Sequence, residues 1–183
     1  DLFLATTSGN RFYRNNLDGT FTDLSEAMGL AAAGVVSRDA ALGDFDDDGD
    51  IDLFVVNENA SNALYANLRG GRFEDVAGAA GLATAGGSRA VAVGDYNNDG
   101  FLDLFVAAGA GGRGRGRHAL YRNRGDGTFE PDRRSPAMFR ALEDVAAWDA
   151  EFFDFDNDGF LDLLVVGETS APSARGVLLF HND

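Results

Sequence analysis

The residues best placed to do chemistry stand in three acidic runs of one spacing. Gly43–Asp52 reads GDFDDDGDID, Gly94–Asp103 reads GDYNNDGFLD and Phe153–Asp162 reads FDFDNDGFLD. The shared pattern is D-x-[DN]-x-D-G-x-x-D. In a tight turn the side chains at positions 1, 3 and 5 can face one centre, and the Gly at position 6 permits the reversal. The carbonyl at position 7 adds an oxygen, and the Asp at position 9 closes the shell. An all-oxygen, carboxylate-rich cage of this kind suits a hard cation with six to eight ligands. It suits calcium before magnesium, because the loop is flexible and rich in ligands.

Three Ca²⁺ sites are therefore expected. The first draws on Asp44, Asp46, Asp48 and Asp52, with Asp50 at position 7; Asp47 reads as a solvated extra. The second draws on Asp95, Asn97, Asp99 and Asp103 with the Phe101 carbonyl, and the third on Asp154, Asp156, Asp158 and Asp162 with the Phe160 carbonyl. The second has one carboxylate fewer and is expected to bind most weakly. Two carboxylates about 4 Å apart repel by about 1 kcal/mol in bulk water and about 4 kcal/mol at an effective dielectric of about 20, so each run calls for a counter-ion. An EF-hand is excluded, since position 12 is Val55, Val106 or Val165 in an apolar strand rather than a bidentate Glu before a helix.

The elements that must position these runs repeat with them. Each is followed by an apolar segment (LFVV, LFVA, LLVV) and then by a second recurring block: LYANLRGGRF at 64–73 and LYRNRGDGTF at 120–129, with FYRNNLDGTF at 12–21 ahead of the first run and LFHN at 179–182 after the last. EAMGLA at 26–31 recurs as GAAGLA at 78–83. The apolar segments are short and rich in Val and Phe, and the turns between them are rich in Asp, Asn and Gly, which reads as strands. In the second unit the strands are expected at Ser37–Phe45, Leu53–Asn57, Ala63–Asn67 and Arg72–Val76. Both alternating faces of LFVV are apolar, so these strands should be covered on both sides.

The fold class is thus all-β, a β-propeller segment of four-stranded antiparallel blades, with two whole blades flanked by two partial ones. The units are 1–34 (partial), 35–86, 87–140 and 141–183 (partial). Because the two ends lack different strands, the chain is expected to be a fragment whose missing blades are partners.

Composition bounds the function. With 45% hydrophobic and 25% charged residues the chain is ordinary globular material, and 15 basic against 30 acidic residues give a net charge of −15. That balance argues against nucleic acid, whose phosphates want cations. No apolar run reaches the roughly 18–20 residues of a membrane span, and no basic n-region or signal h-region follows Asp1, so the chain reads as a soluble mature piece. With no cysteine, thiolate metal sites and disulfides are excluded.

GDFDDDGDIDLFVVN, LYRN…DGTF and EAMGL together resemble the FG-GAP/VCBS-type repeats of integrin-α-like propellers. They are most similar to the bacterial proteins related to cartilage acidic protein and UnbV. The resemblance spans essentially the whole chain, although ALGD, AVGD and EFFD stand in place of the literal FG and GAP signatures. It implies a parent propeller of seven or eight blades, Ca²⁺ held between the first two strands of each blade, and a secreted, periplasmic or cell-surface setting. The function read from this is a non-enzymatic Ca²⁺-binding module for protein or glycan binding or extracellular structure. The alternative is the propeller portion of a secreted polysaccharide lyase or hydrolase.

Other signals are weaker. Gly109, Gly111 and Gly114 spell G-x-G-x-x-G, but a strand, HALYRN, follows where a dinucleotide site needs a helix. Arg113, Arg115, Arg117 and His118 share that loop and could meet an anionic partner. Neither His118 nor His181 has an obvious catalytic companion. Asn59-Ala60-Ser61 is a glycosylation sequon in a eukaryotic secretory host. Arg38, Arg89 and Trp148 each lie six residues ahead of a loop's first Asp and could line an axial channel.

Overall fold

A computed structural model of the chain describes residues 1–84, 86–109, 117–169 and 175–183. Over these the strands run in four antiparallel sheets, each a meander in which sequence neighbours pair. The first sheet holds β1 (Leu2–Leu4), β2 (Arg11–Asn15) and β3 (Phe21–Asp23). The second holds β4 (Ser37–Gly43), β5 (Asp52–Asn57), β6 (Ala63–Asn67) and β7 (Phe73–Asp75). The third holds β8 (Ser88–Gly94), β9 (Asp103–Ala108), β10 (Ala119–Asn123) and β11 (Phe129–Asp132). The fourth holds β12 (Val145–Phe153), β13 (Asp162–Thr169) and β14 (Arg175–Phe180). The fold is all-β and propeller-like, and the sheets do not close into a ring.

The expected strands of the second unit are present with trimmed ends. β4 stops at Gly43 because the carboxylates that follow take up the backbone N–H groups of the loop, and β7 shortens to Phe73–Asp75. One element was not expected, a short helix α1 (Pro136–Leu142) between the third and fourth sheets. Pro136 supplies the preset φ of a first helical turn, and Met138 and Leu142 are buried. A seven-residue helix is too short to show its period in the sequence. No helix among the described residues is long and apolar enough to cross a membrane.

The sheets stack face to face, and alternation along the second strand of each repeat divides its side chains between two cores. From β5, Leu53 and Val55 join Phe3, Phe12 and Leu30 between the first and second sheets, while Phe54 and Val56 face the third. From β9, Leu104 and Val106 face the second sheet, whereas Phe105 and Ala107 pack with Phe152, Leu163 and Val165 of the fourth. All six residues of β5 and all six of β9 are buried, as double-sided coverage requires. On the outer faces of the first and fourth sheets, Leu2, Leu4, Val177 and Leu179 are exposed.

The first strands β4, β8 and β12 lie side by side along one edge of the stack. Each carries a register shift against its partner at the same place, between Ser37 and Asp39, Ser88 and Ala90, and Ala147 and Asp149. The extra residue of each bulge is Arg38, Arg89 or Trp148, released from the ladder and re-aimed by it. Opposite the last bulge Gly167 pairs with Ala147, and a Cβ on it would stand 2.4 Å from the Ala146 carbonyl oxygen. Backbone cannot yield there as a side-chain end could. Gly167→Ala should therefore destabilise the protein by about 1–3 kcal/mol, read as a lowered midpoint in urea with an unchanged m-value.

Candidate metal centres

Each acidic run is the turn between the first and second strands of a repeat, and its shape is held by its own carboxylates. The position-1 aspartate accepts two backbone N–H groups: Asp44 from Asp48 (3.1 Å) and Gly49 (3.0 Å), Asp95 from Asp99 (3.0 Å) and Gly100 (2.8 Å), Asp154 from Asp158 (3.1 Å) and Gly159 (2.9 Å). The position-5 aspartate accepts the N–H of position 7, at 2.9 Å for Asp48, 3.1 Å for Asp99 and 2.9 Å for Asp158. Two residues reverse the chain, the expected Gly and also position 4. Asp47, Asn98 and Asn157 all have φ near +60°, a region that Asp and Asn tolerate better than other side-chain-bearing residues. Asp47, read as a solvated extra, is thus also a turn residue.

The position-9 aspartates lie deepest. Asp52, Asp103 and Asp162 are at most 2% exposed and open the second strands. Asp52 accepts the Phe45 N–H (3.0 Å) from the loop and the Asn67 N–H (2.9 Å) from the end of the third strand. Asp162 does the same with Phe155 (3.0 Å) and Asn182 (2.8 Å). Asp103 takes the Asn123 N–H (2.8 Å) and the Asn97 side-chain amide (3.1 Å). Burial pushes the Asp103 carboxyl up to about 7 against the lowering pull of the Asn123 N–H, and the charges of Asp99 and Asp95 raise it further. Burial raises Asp52 as well.

The carboxylate oxygens gather unequally. In the first loop one oxygen from each of Asp44, Asp46 and Asp48 lies within 4.8 Å of the others, and in the third loop Asp154, Asp156 and Asp162 do the same. Either group could hold a cation through oxygen alone. In the second loop no three carboxylates gather this closely among the described residues, since Asn97 stands at position 3 and its amide turns to Asp103. Asp50 directs its carboxylate to Arg69, leaving its carbonyl as the oxygen it can offer. At the other two position 7s, Phe101 is half-buried and Phe160 exposed.

Two features escape a reading of the runs alone. His181 Nε2 lies 3.1 Å from Asp156 and 3.6 Å from Asp158, adding an imidazole to the third loop. Burial lowers its pKa, but the charges of Asp156, Asp162, Asp158 and Asp183 outweigh that and the net direction is upward. The signal was the alignment of LFHN with LYRN, which puts His181 where the other repeats have Arg14, Ala66 or Arg122. The second feature is a bridge between repeats. Asn123 Nδ2 donates to the Phe45 carbonyl (2.9 Å) of the first loop, and Asn182 Nδ2 to the Tyr96 carbonyl (2.7 Å) of the second.

His118 packs against the third sheet and the start of β12. Its ring stacks on Phe105 at 6.1 Å, Nδ1 accepts the Ala108 N–H (3.2 Å), and Nε2 lies 3.0 Å from the Val145 carbonyl oxygen. Burial lowers its pKa, so it packs as a neutral imidazole. Gly111, Gly114, Arg113 and Arg115 lie outside the described residues. Asn59 of the sequon uses its amide to accept the Val36 N–H (2.7 Å) and to donate to the Gly34 carbonyl (3.2 Å).

A family model described as "FG-GAP-like repeat" matches residues 1–55, 44–106 and 102–165, each match ending at the valine in position 12 of an acidic run. The chain belongs to the FG-GAP-like repeat family. This FG-GAP-like chain is 29% identical over 197 residues to cartilage acidic protein 1 of Mus musculus and equally to that of Homo sapiens, covering 100% of the chain and 29% of each relative. Against cartilage acidic protein 1 of Xenopus tropicalis it is 29% identical over 190 residues, covering 93% of the chain and 27% of the relative. The chain thus spans less than a third of the length of these curated relatives.

Asn123 is 2% exposed and donates to Phe45 and Leu102 at once. Asn123→Ala removes the donor to the buried Phe45 carbonyl and the half-buried Leu102 carbonyl and should cost about 2–4 kcal/mol in a urea titration. A second expectation concerns acid. Burial raises the Asp132 carboxyl, but the Arg134 guanidinium and the Tyr96 hydroxyl outweigh it and hold the pKa at about 2. A depressed carboxylate stabilises the fold above its unfolded pKa of 3.8, and that contribution fades as pH falls through the folded value. Asp132→Asn should therefore melt lower than wild type at about pH 7, with the gap closing towards about pH 2.

Proposed function

We propose that the chain is a Ca²⁺-stabilised FG-GAP-like module, non-enzymatic, that works outside the cytoplasm, secreted, periplasmic or at the cell surface, by binding a protein or glycan. The observation that carries the calcium reading is the gathering of carboxylate oxygens within 4.8 Å in the first and third loops. Like charges so close repel unless a cation sits among them. The ligands are Asp44, Asp46, Asp48 and Asp52 with the Asp50 carbonyl; Asp95, Asn97, Asp99 and Asp103 with the Phe101 carbonyl; and Asp154, Asp156, Asp158 and Asp162 with the Phe160 carbonyl. The ion supplies the missing positive charge, while the chain's own part is to hold each turn open through the position-1 and position-5 hydrogen bonds.

The position-9 carboxylates contribute a lone pair not used by the backbone. A bound divalent cation would also return the raised Asp103 carboxyl to its ionised form. The exposed apolar faces carrying Leu2, Leu4, Val177 and Leu179 fit burial against further sheets of the same kind, in keeping with relatives more than three times the length of the chain.

Calcium at about ten times its dissociation constant adds about 1.4 kcal/mol per site, so three sites should raise the melting temperature by roughly 10 °C over the protein in EGTA. Asp44→Asn and Asp154→Asn should remove more of that rise than Asp95→Asn. A melt indifferent to EGTA would sink the calcium reading.

A further inference from the structure

The three bulge residues meet. Arg38, Arg89 and Trp148 line one open hollow of about 370 Å³, together with Asp39, Asp149 and the 5–7 segment beyond β1. A second hollow of about 230 Å³ is lined by the same three residues together with Glu58. The larger lies at the lower end of the roughly 300–1,000 Å³ typical of small-molecule sites. The bulge recurs in all three repeats while the residue it carries changes from Arg to Trp, so the backbone device is common and the chemistry it presents is set repeat by repeat.

That chemistry is mixed. Arg38 is paired with Glu58, and Arg89 has no ion-pair partner among the described residues. Asp39 accepts the Val91 N–H (3.0 Å) and the Ala40 N–H (2.8 Å), and Asp149 the Ala150 N–H (2.9 Å), so each carboxylate keeps lone pairs free. Burial raises the Asp39 pKa against the pull of those two N–H groups, and the charge of Asp149 adds to the rise, placing both carboxylates in one field. Trp148, the only tryptophan, keeps 42% of its surface exposed.

A simple anion would meet two carboxylates here, and a simple cation would meet Arg89. A ligand that both donates and accepts, and has an apolar face for the indole, satisfies all of them. We propose that this hollow binds a neutral saccharide, one pyranose ring lying on Trp148 with its hydroxyls accepting from Arg89 and donating to Asp39 and Asp149. The assignment rests on the reading of the chain as a binding module and names the ligand class and the residues.

Trp148 reports on its own site. In calcium-saturated protein, titration of its fluorescence with glucose, galactose, mannose and N-acetylglucosamine, with glucuronate as the acidic control, should give a saturable change for at least one neutral sugar, with a dissociation constant of about 1 mM. Arg89→Ala and Asp149→Asn should each weaken it about tenfold, the loss of one charge-assisted hydrogen bond. Trp148→Ala, followed by calorimetry, should abolish binding while leaving the calcium-dependent melt intact. Trp148→Phe, which keeps an aromatic face, should retain part of it.

A flat fluorescence titration with all four neutral sugars overturns the proposal. So does preference for glucuronate, or a response that Arg89→Ala leaves unchanged. Any of these with a normal calcium-dependent melt removes the axial site alone, whereas loss of the calcium response counts against the calcium module independently.

Discussion

In each of the three repeats that carry an acidic loop, a buried carboxylate at the start of the second strand accepts one donor from the loop and the N–H of the third strand's terminal residue or, in the last sheet, of Asn182 just beyond it. Removing an ionised carboxylate from water costs several kcal/mol unless such donors replace the solvent. Two backbone hydrogen bonds to Asp52, and two to Asp162, supply that replacement, and they fix the direction in which the chain leaves the first strand. The rest follows from this anchor. With position 9 pinned, the eight residues before it must turn within a fixed span, and the carboxylates at positions 1, 3 and 5 are forced towards one side. A carboxylate engaged twice by backbone has less to offer a cation, so the same group carries scaffold and site in competition.

The anchors also join one repeat to the next. Asn123 and Asn182 sit at the end of a third strand or just past it, receive a carboxylate on the backbone N–H, and send their side-chain amides to the loop of the preceding repeat. Sheet stacking is otherwise a matter of non-directional apolar burial, which would tolerate sliding. These amide bridges give the stack a register, and they tie the first and second acidic loops to the repeat that follows. Along the edge formed by β4, β8 and β12 the bulges do the complementary work, freeing Arg38, Arg89 and Trp148 from the ladder and turning them to a shared hollow.

Much of this was legible beforehand. The double-sided burial of β5 and β9 and the shape of the acidic turns follow from patterns spanning nine residues or fewer, and the three-four-four-three strand count from the recurrence of short blocks along the chain. Helix α1 was not, because seven residues give too little period. His118 was misjudged because its sequence neighbours are arginines, while its spatial neighbours are Phe105 and the Val145 carbonyl.

By itself the sequence determined the local geometry, since the alternation of side chains along a strand and the Asp/Gly spacing of a turn act through covalent connectivity. Only the tertiary structure decided which groups share a centre. That His181 reaches Asp156 depends on how β14 pairs with β13, and that Arg38, Arg89 and Trp148 face one hollow depends on the stacking of three sheets. These are distances between residues 25 or more apart in the chain, and packing sets them rather than spacing.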